Sequence, residues 1–273
     1  HGVPLLVKAG LKAAPHVARQ GARLTGQAVQ GVRQSLAQQG GRTARTAAEA
    51  EDFVRAMEET NVDELLGKTG RTAAETAEVA TYDAARFQAS LDRVRQLTLH
   101  TTTGFDEQLQ KLCADVGVVV LFVPELPKAR VSGAARWIMG KPVIQLSLRH
   151  KPDDPLWFAF FHEAGHILLH GRQHTFVDET MATSQRQGQE AEADQFASEL
   201  LIPPEKLEQF ICQQRGVFSK AAITQFSQGV GVSPGVVVGQ LQHRGLLPFT
   251  HCNDLKTSLA GLCSALVVRR GLP

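Results

Sequence analysis

The sequence predicts an α+β fold, in which a small twisted sheet packs against one buried helix and other helices lie before and after this core. Two stretches carry the prediction. Val118–Val123 is apolar and rich in β-branched residues, as a buried strand requires, and two more strand-like runs follow it. Trp157–Gly171, which reads WFAFFHEAGHILLHG, then supplies an apolar segment of helical length.

Length and composition are those of an ordinary globular protein. The 273 residues allow one or two domains, and the hydrophobic share is 43%. A net charge of +2 gives no general case for binding nucleic acid or a membrane surface. No apolar run reaches the roughly 18 residues of a transmembrane helix, so no membrane partner is expected. The four cysteines form no C-x-x-C pair, which favours a reducing compartment, and we expect a cytoplasmic protein.

Residues 1–81 form the first predicted region, a basic arm followed by helical segments. The arm, residues 1–45, holds seven Lys or Arg and no Asp or Glu. Its charge would suit contact with a nucleic acid or an acidic partner, but it lacks the aromatic side chains on which bases stack, which argues against direct nucleic-acid binding. Helices are predicted to follow the arm, and the last of them covers Arg71–Thr81.

Two amphipathic helices and a three-stranded sheet are predicted ahead of the apolar segment. The helices cover Asp83–Thr98 and Phe105–Val116, where apolar residues recur at helical spacing. After the first strand, Ala134–Met139 and Val143–Leu148 are predicted to form a hairpin around Gly140-Lys141.

The apolar segment itself has helix signals at both ends. Asp154 is predicted to be the N-cap, Pro155 suits the first helical position, and Gly171 suits the position after the last turn. Most residues between these ends are apolar, so the helix is predicted to be buried. Histidines and a glutamate inside a buried helix cost free energy unless they are paired or bound to a metal.

The polar residues in this helix are His162-Glu163-x-x-His166, the signature of zinc metallopeptidases. Because four residues advance an α-helix by about 400°, the two histidines lie on one face and can bind one ion. Glu163 then stands beside the ion, where its carboxylate can take a proton from metal-bound water. We therefore expect Zn²⁺ as the cofactor, with Mn²⁺ as the alternative, and Glu163 as the catalytic base.

A third metal ligand is expected on the next helix, which is predicted over Gln189–Ile202 and stopped by two prolines. Glu190 and Asp194 are four residues apart and share one face of it. We assign Glu190 as the third ligand and Asp194 as the acceptor of a hydrogen bond from a ligating histidine, which fixes the tautomer of the ring. Glu192 is the weaker candidate, because it lies about 160° from Asp194 around the helix.

Four further residues are candidates for donors to the oxyanion or for positions at the rim of the site. They are Tyr82, His170, Arg172 and His174. His170 and His174 continue the i,i+4 series from His166, and they are better explained as rim residues than as metal ligands. Arg172–Gly188 is predicted to be a loop that borders the cleft.

Lys220–Gly245 has the pattern of a helix-turn-helix, two segments with apolar residues on either side of a turn. Ser233 is predicted to cap the second helix, with Pro234 at its first position. A helix that reads DNA exposes polar residues, whereas this second helix is mostly apolar. We therefore interpret residues 212–256 as a packing module rather than a DNA-binding one, and residues 257–273 as a C-terminal tail.

The segments FFHEAGHILLHG and EAEADQFASELLIP together resemble the ImmA/IrrE family of metallopeptidases. That family typically shows H-E-x-x-H and then E-x-x-A-(D/N)-x-F-A-x-x-L-L-x-P. By motif position, the family's metal ligands fall on His162, His166 and Glu190, and its catalytic base falls on Glu163. The resemblance implies a minimal zincin-like metallopeptidase domain, which we place at residues 82–211.

A wider similarity, from about Tyr82 to Lys256, resembles the peptidase-like half of proteins in which an XRE-type helix-turn-helix precedes an ImmA/IrrE domain. Some of those proteins are described as HigA-like antitoxins. Residues 1–81 lack the apolar spacing of such a helix-turn-helix, which argues against operator binding. The resemblance implies one protein substrate, a helix-turn-helix repressor cleaved under stress or induction, or else a toxin or antitoxin partner.

The leading hypothesis is a metal-dependent endopeptidase that cleaves a specific partner protein with activated water. A strand within residues 134–148 is expected to border the site and pair with an extended substrate. The second hypothesis is an antitoxin-like regulatory protein that keeps the fold for binding alone. The intact Glu163 argues against it, since a binding protein needs no base. In the third, residues 82–256 are the protease end of a larger effector protein.

Overall fold

The computed structural model describes most of the chain beyond the N-terminal region. The described residues are 74–75, 77–101, 104–123, 132–147, 152–171 and 183–259. They fall within one compact unit and form an α+β fold with seven helices and a three-stranded mixed sheet, as predicted. The basic arm and the end of the C-terminal tail lie outside them. Among the described helices, none combines the length and the apolar character that crossing a membrane requires.

Two helices precede the sheet, α1 (Ala84–Leu97) and α2 (Phe105–Ala114), close to their predicted positions. Asp83 caps α1, because its Oδ1 accepts a hydrogen bond of 2.9 Å from the backbone N–H of Arg86. The apolar face of α1 is buried in the main core, as its helical spacing predicted.

The prediction of a helix over Arg71–Thr81 is wrong from Ala77 onward, where the chain is not helical. Long-range hydrogen bonds replace those of a helix. The backbone N–H of Ala80 donates to the carbonyl of Ala114 at the end of α2, at 3.0 Å. The Lys141 ammonium donates to the carbonyl of Ala77 at 3.1 Å. Tertiary contacts of this kind outweigh the helix propensity of an Ala- and Glu-rich segment.

The sheet consists of β1 (Val119–Val123), β2 (Gly133–Ile138) and β3 (Lys141–Ser147). β3 is the central strand, parallel to β1 and antiparallel to β2. The predicted hairpin is therefore confirmed, but Lys141, which was predicted to lie in the turn, is the first residue of β3. Its turn residues, Met139 and Gly140, both have positive φ, 53° and 77°, as a two-residue type I′ turn requires.

The helix that carries His162 and Glu163 follows the sheet as α3 (Asp153–Gly165). One π-helical turn, His166–His170, continues it to Gly171. It packs on the sheet with its large apolar side chains in the main core. The predicted start of this helix is wrong by two residues, because the N-cap is Pro152 and the helix begins at Asp153, so that Asp154 and Pro155 are its second and third residues. The Asp154 carboxylate instead accepts a hydrogen bond of 2.8 Å from the Lys256 ammonium, a partner 102 residues away.

Four helices complete the described chain. They are α4 (Thr183–Leu201), α5 (Pro204–Gln214), α6 (Lys220–Val230) and α7 (Pro234–His243). α4 begins six residues before its predicted start and packs along α3, while the part of the predicted loop before α4 lies outside the described residues. Ser233 caps α7 as predicted, and α7 is buried along most of its length against α3.

A segment after α7, Lys256–Ser258, lies across the start of α3, and we call it the strap. The backbone N–H of Asp153 donates to the carbonyl of Thr257, and the N–H of Thr257 donates to Asp153 Oδ1, each at 2.9 Å. Pro152 and Ser258 form a β-bridge beside them. The strap thus holds the N-terminal end of the helix that carries the metal motif.

Candidate metal centre

Three candidate ligands come together where α4 crosses the end of α3. His162 lies in the last turn of α3, His166 begins the π-helical turn, and Glu190 lies on α4. The crossing is close because Gly165 has no side chain. A Cβ at Gly165 would lie 3.0 Å from a ring carbon of Phe196 on α4. The absence of this Cβ therefore allows α4 to bring a carboxylate up to the two imidazole rings.

His162, His166 and Glu190 form a triangle, in which each oxygen of the Glu190 carboxylate faces one histidine, and the sides of the triangle have the lengths that a zinc site needs. His162 Nε2 lies 3.0 Å from His166 Nε2 and 3.3 Å from Glu190 Oε2, and His166 Nε2 lies 3.6 Å from Glu190 Oε1. Ligands about 2.0–2.1 Å from a tetrahedral zinc ion are roughly 3.3–3.4 Å from one another. His162, His166 and Glu190 therefore fit three corners of a zinc site.

Asp194 orients the first of these rings. Its Oδ1 lies 2.8 Å from His162 Nδ1, which leaves Nε2 of the same ring directed at His166 and Glu190. Burial opposes protonation of the His162 ring, but the hydrogen bonds to Asp194 and Glu190 and the charge of Glu163 outweigh it. Together they raise the pKa of His162 to about 10 in the metal-free protein. A metal ion must therefore displace a proton from this ring.

Glu163 is the carboxylate next in sequence to His162, and it is buried, with 7% of its surface exposed. It contributes to the raised pKa of His162 through its negative charge, which places the two side chains within electrostatic reach of each other. Gly133 at the start of β2 adjoins its carboxylate. The carboxylate therefore lies between the end of α3 and the first residue of β2.

His170 lies in the same row as the two candidate ligands, but its ring nitrogens are directed elsewhere. Its Nε2 donates to the carbonyl of Gln189 at 3.2 Å, and its Nδ1 lies 3.7 Å from Glu192 Oε2. The π-helical turn, which adds a residue to the turn, presents the ring to α4 in this way. His170 thus links α3 to the residue before Glu190, and Glu192 faces His170.

The other rim candidates are not brought to this triangle by any described contact. Tyr82 packs edge-on against Trp137, with ring centroids 5.1 Å apart, and against Phe87 at 6.3 Å. Burial raises the pKa of the Tyr82 hydroxyl. Arg172 and His174 lie outside the described residues. A role for these three side chains in stabilising the oxyanion stays a prediction.

Comparison with known families agrees with this geometry. Residues 113–241 match the model of the peptidase M78 family, described as the IrrE N-terminal-like domain. The match begins in the last turn of α2 and ends in α7, so it includes the sheet and both helices that carry the triangle. No curated protein matches the chain. Residues 113–241 therefore form a domain of the ImmA/IrrE family of peptidases.

Proposed function

We propose that this domain is a zinc-dependent endopeptidase that cleaves one specific partner protein. The observation that carries the proposal is the triangle of His162, His166 and Glu190, whose ligand atoms are 3.0–3.6 Å apart beside the buried Glu163. Two imidazoles and a carboxylate with one position left for water are the ligand set of catalytic zinc sites in peptidases.

The reaction needs a polarised carbonyl, an activated water and a group that moves protons. When bound, a zinc ion polarises the peptide carbonyl and lowers the pKa of a water molecule towards about 7. Glu163 accepts the proton of the attacking water and later donates it to the leaving amine. Asp194 holds the His162 ring in the orientation that binding requires.

β2 is the strand best placed to hold an extended substrate. It lies at the edge of the sheet, and among the described residues no strand pairs with its outer side. β3, the other strand within residues 134–148, is paired on both sides and offers no free edge. Because Gly133 of β2 adjoins Glu163, a peptide added along β2 passes beside the base.

For the substrate we propose a cytoplasmic helix-turn-helix repressor. This part of the proposal is supported by the resemblance of the motifs to ImmA/IrrE peptidases rather than by a surface of the fold. A toxin or antitoxin partner is the alternative, and in that case the domain would act as a regulatory binding protein. Such a protein has no physical need for a buried carboxylate beside the metal ligands, so the position of Glu163 favours the peptidase.

Co-expression with the products of neighbouring genes tests the proposal. Wild type, Glu163→Gln and a matched control, Glu199→Gln, are compared by zinc content and by the length of each partner on immunoblots. Glu199 is exposed on α4 and bonds to Gln195, away from the triangle. We expect wild type and Glu199→Gln to shorten one partner, and Glu163→Gln to bind zinc without cleaving it.

Two other results have a clear meaning. If Glu163→Gln cuts the partner as fast as wild type, Glu163 is not the base and the mechanism is wrong. If no variant shortens a protein but one partner copurifies with all of them, the regulatory binding function replaces the peptidase.

A further inference from the structure

Gly133 stands unusually close to the proposed base. A Cβ at this position would lie 2.8 Å from Glu163 Oε1 and 2.9 Å from Glu163 Cγ. Non-bonded carbon atoms normally approach to about 3.5–4.0 Å. Any side chain at residue 133 therefore overlaps the carboxylate in its present position, and only a glycine leaves it there.

The backbone does not explain the glycine. The φ angle of Gly133 is outside the positive range that other residues avoid. The residue sits in regular antiparallel pairing opposite Leu146, and the adjacent Ser147 N–H donates to the Ser132 carbonyl at 2.9 Å. Alanine can adopt this conformation, so the requirement for glycine comes from the space that Glu163 occupies.

The two partners in the overlap differ in how easily they move. Gly133 is held by β3, the central strand of the sheet, whereas the atoms that it would meet are near the free end of a side chain. A methyl group at residue 133 therefore displaces the carboxylate of Glu163 rather than the strand. The metal ligands, which lie on α3 and α4, are not among the atoms nearest to this methyl group.

We propose that Gly133 is a positioning residue, whose missing side chain fixes where the Glu163 carboxylate stands relative to the metal. The inference rests on the proposed function, because it assumes that Glu163 acts beside a bound ion. It predicts that Gly133→Ala keeps the fold and the metal but loses the action of the base.

The test uses the full chain loaded with Co²⁺, whose absorption spectrum reports on the ligands of the ion. The probe is acetohydroxamic acid, which chelates the ion through two oxygens and gives up a proton, so that a carboxylate beside the ion strengthens its binding. Its Kd is measured in wild type, Gly133→Ala, Glu163→Ala, the double variant and Gly229→Ala. Gly229 is the control, since a Cβ there meets no atom within 4 Å and its φ is not positive.

We expect all five proteins to fold and bind one Co²⁺, and Gly229→Ala to match wild type. Gly133→Ala and Glu163→Ala should each raise the Kd of acetohydroxamic acid roughly tenfold or more, which is the loss of affinity expected for one charge-assisted hydrogen bond. In the Glu163→Ala background, Gly133→Ala should change nothing further, because no carboxylate is left to displace. A purely structural role of Gly133 would not show this dependence on Glu163.

The remaining outcomes separate this inference from the proposed function. A wild-type chain that binds no Co²⁺, or a Glu163→Ala variant with unchanged affinity, overturns both. If Gly133→Ala keeps wild-type affinity while Glu163→Ala loses it, the inference fails and the proposed function stands. The inference also fails if Gly133→Ala weakens binding of the probe equally with and without the Glu163 side chain. It fails as well if Gly133→Ala unfolds the chain, since the strand rather than the carboxylate would then have been displaced.

Discussion

Asp194 Oδ1 lies 2.8 Å from His162 Nδ1, one helical turn beyond Glu190 on the same helix. α4 therefore supplies two carboxylates with different tasks at one site. Glu190 faces the Nε2 atoms of both histidines, while Asp194 reaches the far side of one ring. The i,i+4 spacing puts both carboxylates on the same face of α4, which is what this division of tasks requires.

We expect Asp194→Ala to weaken zinc binding by about 10–100-fold, the usual effect of losing a carboxylate that orients a histidine ligand. The change removes the acceptor for His162 Nδ1 and leaves the three candidate ligands in place. Competition with a chelator of known affinity measures it. Glu199→Ala, which removes an exposed carboxylate from the same helix, is the control. Equal affinities in the two variants would contradict the role of Asp194.

The third ligand can be tested by exchanging neighbouring glutamates. Glu190→Gln should lose most of the zinc affinity, because it removes the charge from the carboxylate whose oxygens lie 3.3 and 3.6 Å from the Nε2 atoms of His162 and His166. Glu192→Gln should keep the affinity near that of wild type, since Glu192 faces His170 at 3.7 Å. Metal analysis after dialysis gives the answer. The reverse order of the two variants would move the ligand to Glu192.

Zinc binding should release a proton from His162. The pKa of this ring is raised from 6.5 to about 10, so the ring is protonated at pH 7 in the metal-free protein and must lose that proton to become a ligand. Zinc affinity should therefore rise with pH until about pH 10. Calorimetry at pH 7 in two buffers of different ionisation enthalpy should show at least about one proton released per zinc ion, one from His162 and a further fraction from the zinc-bound water. No dependence of the heat on the buffer would refute this.

Much of the site could be predicted from local patterns. The spacing of His162 and His166 on one helix, and of Glu190 and Asp194 on another, follows from helical periodicity alone. Gly140 marked the hairpin because few other residues adopt its backbone conformation. These features depend on residues a few positions apart, which a sequence pattern can show.

What escaped prediction depends on residues far apart in sequence. Asp is a residue type that often caps helices, but the carboxylate of Asp154 instead pairs with the ammonium of Lys256, 102 residues later in the sequence. Gly133 lies in a segment with no visible motif, and its proximity to Glu163 depends on how the sheet packs on α3. Ala77–Ala80 favour a helix until the end of α2 and Lys141 offer them other hydrogen bonds. No local signal encodes such tertiary pairings.

The ion pair between Lys256 and Asp154 should matter more for stability than any surface pair. The two side chains are only 11% and 10% exposed, and Lys256 also donates to Gln242 Oε1 at 2.9 Å. Lys256→Met leaves the Asp154 carboxylate buried without its cation, which should lower the free energy of unfolding by about 3 kcal/mol or more.

The matched control is Lys220→Met, which breaks the pair between Lys220 and Asp254 at 2.7 Å, where both side chains are about 60% exposed. Its effect should be far smaller, because solvent screens the exposed charges. Urea denaturation of the full chain measures both variants. Similar losses in the two would mean that the strap does not depend on the buried pair.

Asp153 should make the fold less stable as the pH rises from about 4 to 6. Burial at the start of α3 raises its pKa from 3.8 to about 6, despite hydrogen bonds from the Ser233 hydroxyl and the Thr257 N–H. Between these pH values the folded chain keeps a proton that the unfolded chain has lost, so this group's contribution to stability falls as the pH increases and is constant above about 6.

The side chain in Asp153→Asn does not titrate. The free energy of unfolding of this variant should therefore rise by up to about 3 kcal/mol relative to that of wild type over this range. Urea denaturation of both proteins at several pH values measures the difference, and a difference that stays constant from pH 4 to 7 would show that the pKa of Asp153 is not raised.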